Sequence, residues 1–165
     1  MIGLIRDNFI STQDCQKLIN YHHKNKKKIK KHVTTYDGKI WNYPLPLQKT
    51  CFFNNNFLKL QQDLNYIAKI LNNSVLDYVH LVRWPIGSFQ PIHKDTTEKQ
   101  TTLSSILYLN SDYEGGETYL EDGTVFKPRE GRVLFLDGLY YGHGVSTVLK
   151  KERYTLAVWY KSLLY

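Results

Sequence analysis

Cysteine is scarce in this sequence: Cys15 and Cys51 are the only two in 165 residues. Two thiols without metal-ligand spacing cannot build a disulfide framework, and they read as packed core residues in a reducing compartment. Long apolar runs are also lacking. The stretch Leu103 to Leu109 falls far short of the roughly 20 residues that a membrane span needs, and the N-terminus has no basic, apolar and small-residue succession of a signal peptide. A soluble, cytoplasmic protein without a membrane partner is therefore expected. Repeats, low-complexity linkers and an internal boundary are missing too. The expectation is one domain over 1–165, with a helical and irregular support region at 1–75 and a β-rich core at 76–165.

Apolar residues make up 42% of the chain and aromatics 14%, including 13 tyrosines, which is the composition of a folded globule with a taste for strands. The formal charge is +7, but much of it sits in Lys24 to Lys31. No aromatic residue interleaves with that run, which speaks against a nucleic-acid groove. A solvated helix end and a contact for an acidic partner both remain open.

Ser11 followed by Asp14 has the form of a helix start, and Cys15, Leu18 and Ile19 then share one face of a helix running to about Lys24. Tyr36-Asp37-Gly38-Lys39 carries the Asp-Gly signature of a tight hairpin turn, between short segments that could pair as strands. A second helix is predicted where Phe57, Leu60, Leu64, Ile67 and Leu71 recur at helical spacing before Asn72 and Asn73. Strands are predicted over Leu76 to Trp84, Leu103 to Leu109, Glu117 to Leu120, Arg132 to Leu136 and Thr155 to Tyr160, with Gly- and Asp-rich turns between them. Short strands at close intervals favour a sandwich or jelly roll over alternating strand and helix units.

The chemistry-bearing residues are His93 and Asp95 in a His-Lys-Asp triplet, and His143 far downstream. Residues two apart in extended chain face the same way, so His93 and Asp95 can grip one ion while His143 arrives from another strand. Two imidazoles and one carboxylate suit non-haem iron(II) and leave coordination positions open. The triplet alone is weak, because the chain's histidines and aspartates placed at random would give about 0.3 matches. Ten residues beyond His143, Arg153 enters an otherwise apolar strand beside Thr155. A cation there is costly unless it meets an anion, either a bound dicarboxylate or a nearby acid such as Glu152 or Glu130.

Several blocks in order resemble the 2-oxoglutarate oxygenases of the prolyl 4-hydroxylase type, from about Val79 to Trp159. They are Val82 to Asp95 (VRWPIGSFQPIHKD), Ser105 to Asn110 (SILYLN), Glu114 to Thr118 (EGGET), Lys127 to Phe135 (KPREGRVLF), His143-Gly144-Val145, and Arg153-Tyr154-Thr155 through Trp159. The resemblance implies a mainly β fold with N-terminal helices, a double-stranded β-helix of the jelly-roll, cupin-like kind. It implies that His93, Asp95 and His143 hold catalytic iron(II) and that Arg153 binds the distal carboxylate of 2-oxoglutarate, helped by Thr155 and Tyr108. Trp159 would line the substrate side, together with Trp84, which stands where many members carry tyrosine. The glycines of the Glu114 to Thr118 block are assigned to a tight turn.

By the same resemblance the chain hydroxylates a C–H bond, with succinate and carbon dioxide as coproducts and L-ascorbate as an auxiliary reductant. The expected partner is a prolyl or other peptidyl substrate. Collagen-type relatives carry an arginine where Gln100-Thr101-Thr102 stands, a departure that bears on the substrate and not on the chemistry. DNA-repair demethylases carry a second arginine where Trp159 stands, which disfavours nucleic acid. A free amino acid or small metabolite as substrate, and a non-catalytic metal- or ligand-binding β-barrel, are the alternatives.

Overall fold

The computed structural model describes residues 3–29, 32–33, 40–47, 57–95 and 101–164. The hairpin turn expected at Tyr36 to Lys39, Cys51, and the last two lysines of the basic run lie outside them. Along the described chain come β1 (Gly3–Arg6), α1 (Thr12–Lys24), β2 (His32–Val33), β3 (Ile40–Leu47), α2 (Leu58–Asn72), β4 (Ser74–Trp84), β5 (Gln90–His93) and β6 (Thr101–Tyr108). There follow β7 (Glu114–Gly115), β8 (Thr118–Leu120), β9 (Val125–Phe126), β10 (Val133–Leu136), β11 (His143–Val145), β12 (Val148–Leu149) and β13 (Arg153–Ser162).

Both helices form where the sequence pattern places them, for identifiable reasons. The Ser11 hydroxyl accepts the Asp14 N–H at 3.1 Å, satisfying one of the free donors of the first turn of α1. His22, His23 and Lys24 close its last turn, where the helix dipole favours cations. Helix α2 ends at Asn73, which adopts the left-handed conformation (φ 43°) and donates its N–H to the Lys69 carbonyl at 2.9 Å. The first three described lysines beyond Asn25 form an exposed 3-10 turn with no buried residue.

The main sheet has the order β1-β10-β6-β13-β4-β3-β2, and a smaller one the order β5-β11-β8-β9, while β12 and β7 pair separately. Neighbouring strands pair antiparallel throughout the described ladders. Two opposed sheets, with the helices outside the larger one, make the double-stranded β-helix that the strand pattern and the resemblance led us to expect.

Period-two alternation in the central strands creates its two faces. Along β13, Tyr154, Leu156, Val158 and Tyr160 join the helix-side core with Val79 and Leu81 of β4, Leu107 of β6 and Leu18, Leu60 and Leu64 of the helices. The intervening residues Arg153, Thr155, Ala157 and Trp159 face the smaller sheet. Between the sheets lie two apolar clusters, Val82 and Trp84 with Val145 and Val148, and Tyr108, Leu134 and Leu136 with Leu120.

The expected strands at Leu76 to Trp84, Leu103 to Leu109, Glu117 to Leu120, Arg132 to Leu136 and Thr155 to Tyr160 are all present, with ends that differ by no more than two residues. The short segments expected to pair on either side of Tyr36 to Lys39 are present as β2 and β3; that β3 runs on to Leu47 was not anticipated, because Pro44 and Pro46 argue against a central strand. Among the described residues β2 pairs only with Ile40 and Asn42, so Pro44 and Pro46 pair with β4 alone and their missing donors break no described ladder on the outer side. The remaining unforeseen strands are two to four residues long, too short to display a period.

Leu64 is fully buried on α2, whereas Tyr66 on the same helix is 66% exposed. Leu64→Ala should therefore cost about 2–5 kcal/mol of unfolding free energy, and Tyr66→Ala about 0.5 kcal/mol or less. Denaturant titration of both variants checks the assignment of the helix face.

Candidate active site

Strand pairing brings the three candidate metal ligands together. Antiparallel β11 sets His143 directly opposite His93 of β5, and their ring centroids lie 4.4 Å apart. Asp95 lies two residues beyond the end of β5, where its N–H donates to the Gly138 carbonyl at 3.0 Å. A side chain at position 138 would put a Cβ 2.6 Å from Asp95 Oδ2, so glycine is required for the carboxylate to occupy its place. Asp95 Oδ1 is 3.6 Å from His93 Nε2, and Oδ2 is 3.5 Å from His143 Nε2. One donor atom from each residue falls within 4.8 Å of the others, an arrangement that can hold a metal ion.

The imidazoles are oriented for this. His93 Nδ1 lies 3.0 Å from the Pro91 carbonyl and His143 Nδ1 lies 3.3 Å from the Tyr141 carbonyl. A carbonyl only accepts, so each Nδ1 carries the hydrogen and each Nε2 presents its lone pair to the shared space. Such outer hydrogen bonds are what fixes the tautomer of a metal-ligating histidine.

Electrostatics within the triad run in opposite directions. Burial works to raise the Asp95 carboxyl, but its contact with His93, the charge of His143 and the neighbouring Ser104 together hold it below the usual carboxylate range. Burial also works to lower His93, yet the Asp95 contact and the Pro91 carbonyl leave its pKa raised. For His143 burial prevails over the attraction of Asp95, and the pKa falls. The Asp95 carboxylate thus favours positive charge in the space that the two Nε2 atoms share with it.

Arg153 opens β13 and is 1% exposed. Its guanidinium carbon lies 4.7 Å from the centroid of the Trp84 ring and 5.5 Å from that of Tyr108. Glu152 and Glu130 do not serve as its counter-ions: Glu152 pairs with Arg83 at 2.5 Å, and Glu130 accepts from the Thr12 hydroxyl at 2.7 Å. Its Nε and one terminal nitrogen have no hydrogen-bond partner. A buried cation with open donors fits the carboxylate of a bound ligand.

The other residues singled out from the sequence surround this point in different ways. Thr155 accepts the Trp84 indole N–H at 3.2 Å and keeps a hydroxyl hydrogen to give. Tyr108 is fully buried, with its hydroxyl 2.6 Å from Thr118 Oγ1, and burial foremost raises its pKa. It therefore lies beneath Arg153 without bordering the cavity. The glycines of the Glu114 to Thr118 block serve the backbone: Gly115 has φ 64°, and a Cβ there would strike the Thr147 carbonyl.

A cavity of about 370 Å³ joins these parts, bordered by the triad, Arg153, Thr155, Trp84 and Trp159. Trp159 stacks on Tyr78 with centroids 4.6 Å apart, and His80 meets the same indole edge-on at 5.2 Å. Sequence reasoning missed Tyr78 and His80, although their spacing with Val82 and Trp84 along a predicted strand already put all four on one face. It also missed Gln90, whose amide nitrogen lies 3.3 Å from His93 Nε2, and Trp41 and Asn42 of β3, for which no sequence signal exists. Trp41 Nε1 and Asn42 Oδ1 are buried without a partner. Each such atom costs about 1–3 kcal/mol while unpaired, so the wall is built for a polar occupant.

A family model described as the 2OG-Fe(II) oxygenase superfamily matches residues 79–161. Prolyl 3-hydroxylase 2 of Gallus gallus is 41% identical over 64 residues, covering 34% of this chain, and the human enzyme of that name matches to the same extent. The chain spans 9% of the length of these curated relatives. Among solved structures, a prolyl-4-hydroxylase of Pseudomonas putida superposes with a TM-score of 0.79 at 16% identity, covering 97% of this chain and 92% of its own. The viral collagen prolyl hydroxylase of Paramecium Bursaria Chlorella virus-1, in its 2OG complex, gives a TM-score of 0.74 at 19% identity, over 99% and 97%. A Trichoplax adhaerens prolyl hydroxylase in complex with a hypoxia inducible factor peptide gives 0.78 at 15%, over 97% and 83%. At these identities the structural likeness speaks for the fold.

Two outcomes follow for metal uptake. His143→Ala should abolish one-to-one Mn(II) binding while leaving the circular dichroism spectrum intact, since that ligand sits on a three-residue strand at the cavity and not in the helix-side core. Because protons compete with the metal for the imidazole lone pairs, Mn(II) affinity of the unaltered protein should fall as pH drops through the imidazole range. Isotherms at a series of pH values measure this, and a flat profile would contradict the geometry.

Proposed function

The chain belongs to the 2OG-Fe(II) oxygenase superfamily, and from that premise we propose that it is an iron(II)- and 2-oxoglutarate-dependent dioxygenase hydroxylating a C–H bond of a peptidyl residue, with proline the first candidate. The observation that carries the proposal is the pairing of two unfinished charge sites in one cavity. One is a His-Asp-His set with its lone pairs turned inward, and the other is a buried arginine with open donors and, among the described residues, no ion-pair partner.

In this reading His93, Asp95 and His143 hold iron(II) on one side only, leaving the other side open to ligands. Arg153, aided by the Thr155 hydroxyl, anchors the distal carboxylate of 2-oxoglutarate and so fixes which end of the cosubstrate meets the metal. When bound, iron(II) and 2-oxoglutarate supply the oxidising chemistry, with succinate and carbon dioxide as coproducts and ascorbate as an auxiliary reductant. The chain itself supplies orientation and exclusion of water: Val82, Ile106, Ala157 and Val145 give the cavity apolar walls between the arginine and the outer aromatics. Trp159 and its stacked partner Tyr78 present a flat face to a ring-bearing substrate.

The peptidyl reading draws support from the lining. Among the described residues the cavity is bordered by no carboxylate except Asp95, so the α-ammonium of a free amino acid finds no counter-charge there. Prolyl hydroxylation is the activity named for the curated relatives and for several of the superposed structures. No described helix is long and apolar enough to cross a membrane, and Cys15 is a buried free thiol whose pKa is pushed up to about 12, chiefly by burial. Cytoplasmic placement completes the proposal, supported by a sequence with two cysteines and no disulfide framework.

The test is to mix anaerobic protein, iron(II) and 2-oxoglutarate, look for the visible charge-transfer band, then admit air with proline-containing peptides and free amino acids while measuring succinate. Arg153→Ala should raise the 2-oxoglutarate concentration for half-maximal succinate release by about tenfold or more, the value of a charge-assisted hydrogen-bonded contact. An unchanged requirement would move the carboxylate anchor to another residue.

A further inference from the structure

Alternation along β3 accounts for Asn42 on the cavity face, because Asn42 and Pro44 share a parity and both border the cavity. Trp41 has the opposite parity, and regular alternation would turn it toward the outer face of the sheet. It borders the cavity as well. The reason lies in the register with β2, where His32 pairs with Asn42 but Val33 pairs with Ile40. Trp41 is the extra residue of a β-bulge, and a bulge re-aims the side chain it carries.

The bulge thus delivers two neighbouring side chains to one wall. Trp41 Nε1 can only donate, and Asn42 Oδ1 can only accept. Both atoms are buried and neither has a partner. A neutral donor beside a neutral acceptor is complementary to a group that offers one carbonyl and one N–H. A peptide unit is that group. A carboxylate would leave the asparagine oxygen facing an anion, and an ammonium would leave the indole N–H facing a donor. An ammonium would also find no acid except Asp95 among the described lining residues.

We infer that Trp41 and Asn42, turned together into the cavity by the bulge in β3, form a subsite that reads a peptide unit of the substrate chain. The subsite rests on the peptidyl-hydroxylase reading above and adds to it a backbone recognition element. The Trp41 indole donates to a substrate carbonyl, and the Asn42 carboxamide oxygen accepts a substrate N–H. Side-chain identity is left to the aromatic pair of Trp159 and Tyr78. A site built around buried hydrogen-bonding groups rejects a ligand that lacks the matching group far more strongly than an apolar site rejects a missing methylene. The subsite therefore discriminates a residue within a chain from the same residue free in solution.

The experiment measures binding of a fluorescein-labelled, end-blocked Ala-Ala-Pro-Ala-Ala peptide to the full chain loaded with Mn(II) and 2-oxoglutarate. It is compared with copies in which one amide at a time is replaced by an ester, which removes a single N–H. One ester position should weaken binding to the unaltered protein by about tenfold, and that penalty should shrink to less than about twofold in Asn42→Ala. Trp41→Phe, which keeps the ring and removes the donor, should weaken the all-amide peptide by about tenfold. The ester series on the unaltered protein does not depend on the folding of any variant. A flat ester series, or a penalty that persists in Asn42→Ala, overturns the subsite. Succinate release by the unaltered protein with iron(II), run in parallel, keeps the two levels apart: succinate with a flat series removes only the subsite, whereas neither succinate nor peptide binding removes the oxygenase reading and the subsite with it.

Discussion

Two-residue alternation along the central strands β4, β6 and β13 is the constraint from which the remaining structure follows. On one face it lines up Leu81, Leu107, Leu156 and Val158 against α1 and α2, forming the core that holds the sheet in shape. On the other it lines up Trp84, Val82, His80 and Tyr78 with Arg153, Thr155, Ala157 and Trp159, residue opposite residue. The apolar face supplies the driving force for folding, and the cavity face is free to carry polar and aromatic groups that folding alone would not choose. A single-residue slip of β13 would exchange the two sets and put the guanidinium into the helix-side core.

The smaller sheet contributes the second half of the site. Its pairing of His93 with His143 is set by backbone hydrogen bonds, and the Asp137-Gly138 turn draws Asp95 back between the rings. The cavity then contains an inward-facing anion flanked by imidazoles and a cation with unfilled donors, the places proposed above for a metal ion and for the cosubstrate's carboxylate. Both are costly in the absence of those groups, because desolvated charge and unpaired donors oppose folding. Such groups persist where binding, and not stability, has shaped the wall. The +7 charge of the chain takes no part in this; three of the lysines that create it form an exposed turn after α1.

Specificity is set at the sheet edge that the core does not govern. Strand β3 carries two prolines and a bulge, features that weaken a ladder but free its outer side, and it places Trp41 and Asn42 on the cavity wall. Here irregularity has a use, since perfect alternation would have kept one of the two side chains out. The family relation covers the metal and cosubstrate half of the cavity, residues 79–161, whereas Trp41 and Asn42 lie before it.

The sequence by itself determined the two helices, three of the longer strands and the candidate metal and anion residues. These are local patterns: a capped amphipathic run for α1, an asparagine stop for α2, apolar alternation in β4, β6 and β13, and short motifs with recognisable spacing. It also left a true ambiguity at Arg153, whose partner was equally readable as Glu152. Tertiary structure decided that point by giving Glu152 to Arg83, and it decided which residues share the cavity, because Trp41, Asn42 and Gln90 are separated from Arg153 by 63 to 112 positions. Short strands and bulges have no period to read, and the meeting of distant side chains depends on register, which is fixed only when the faces of both sheets bury their apolar residues together.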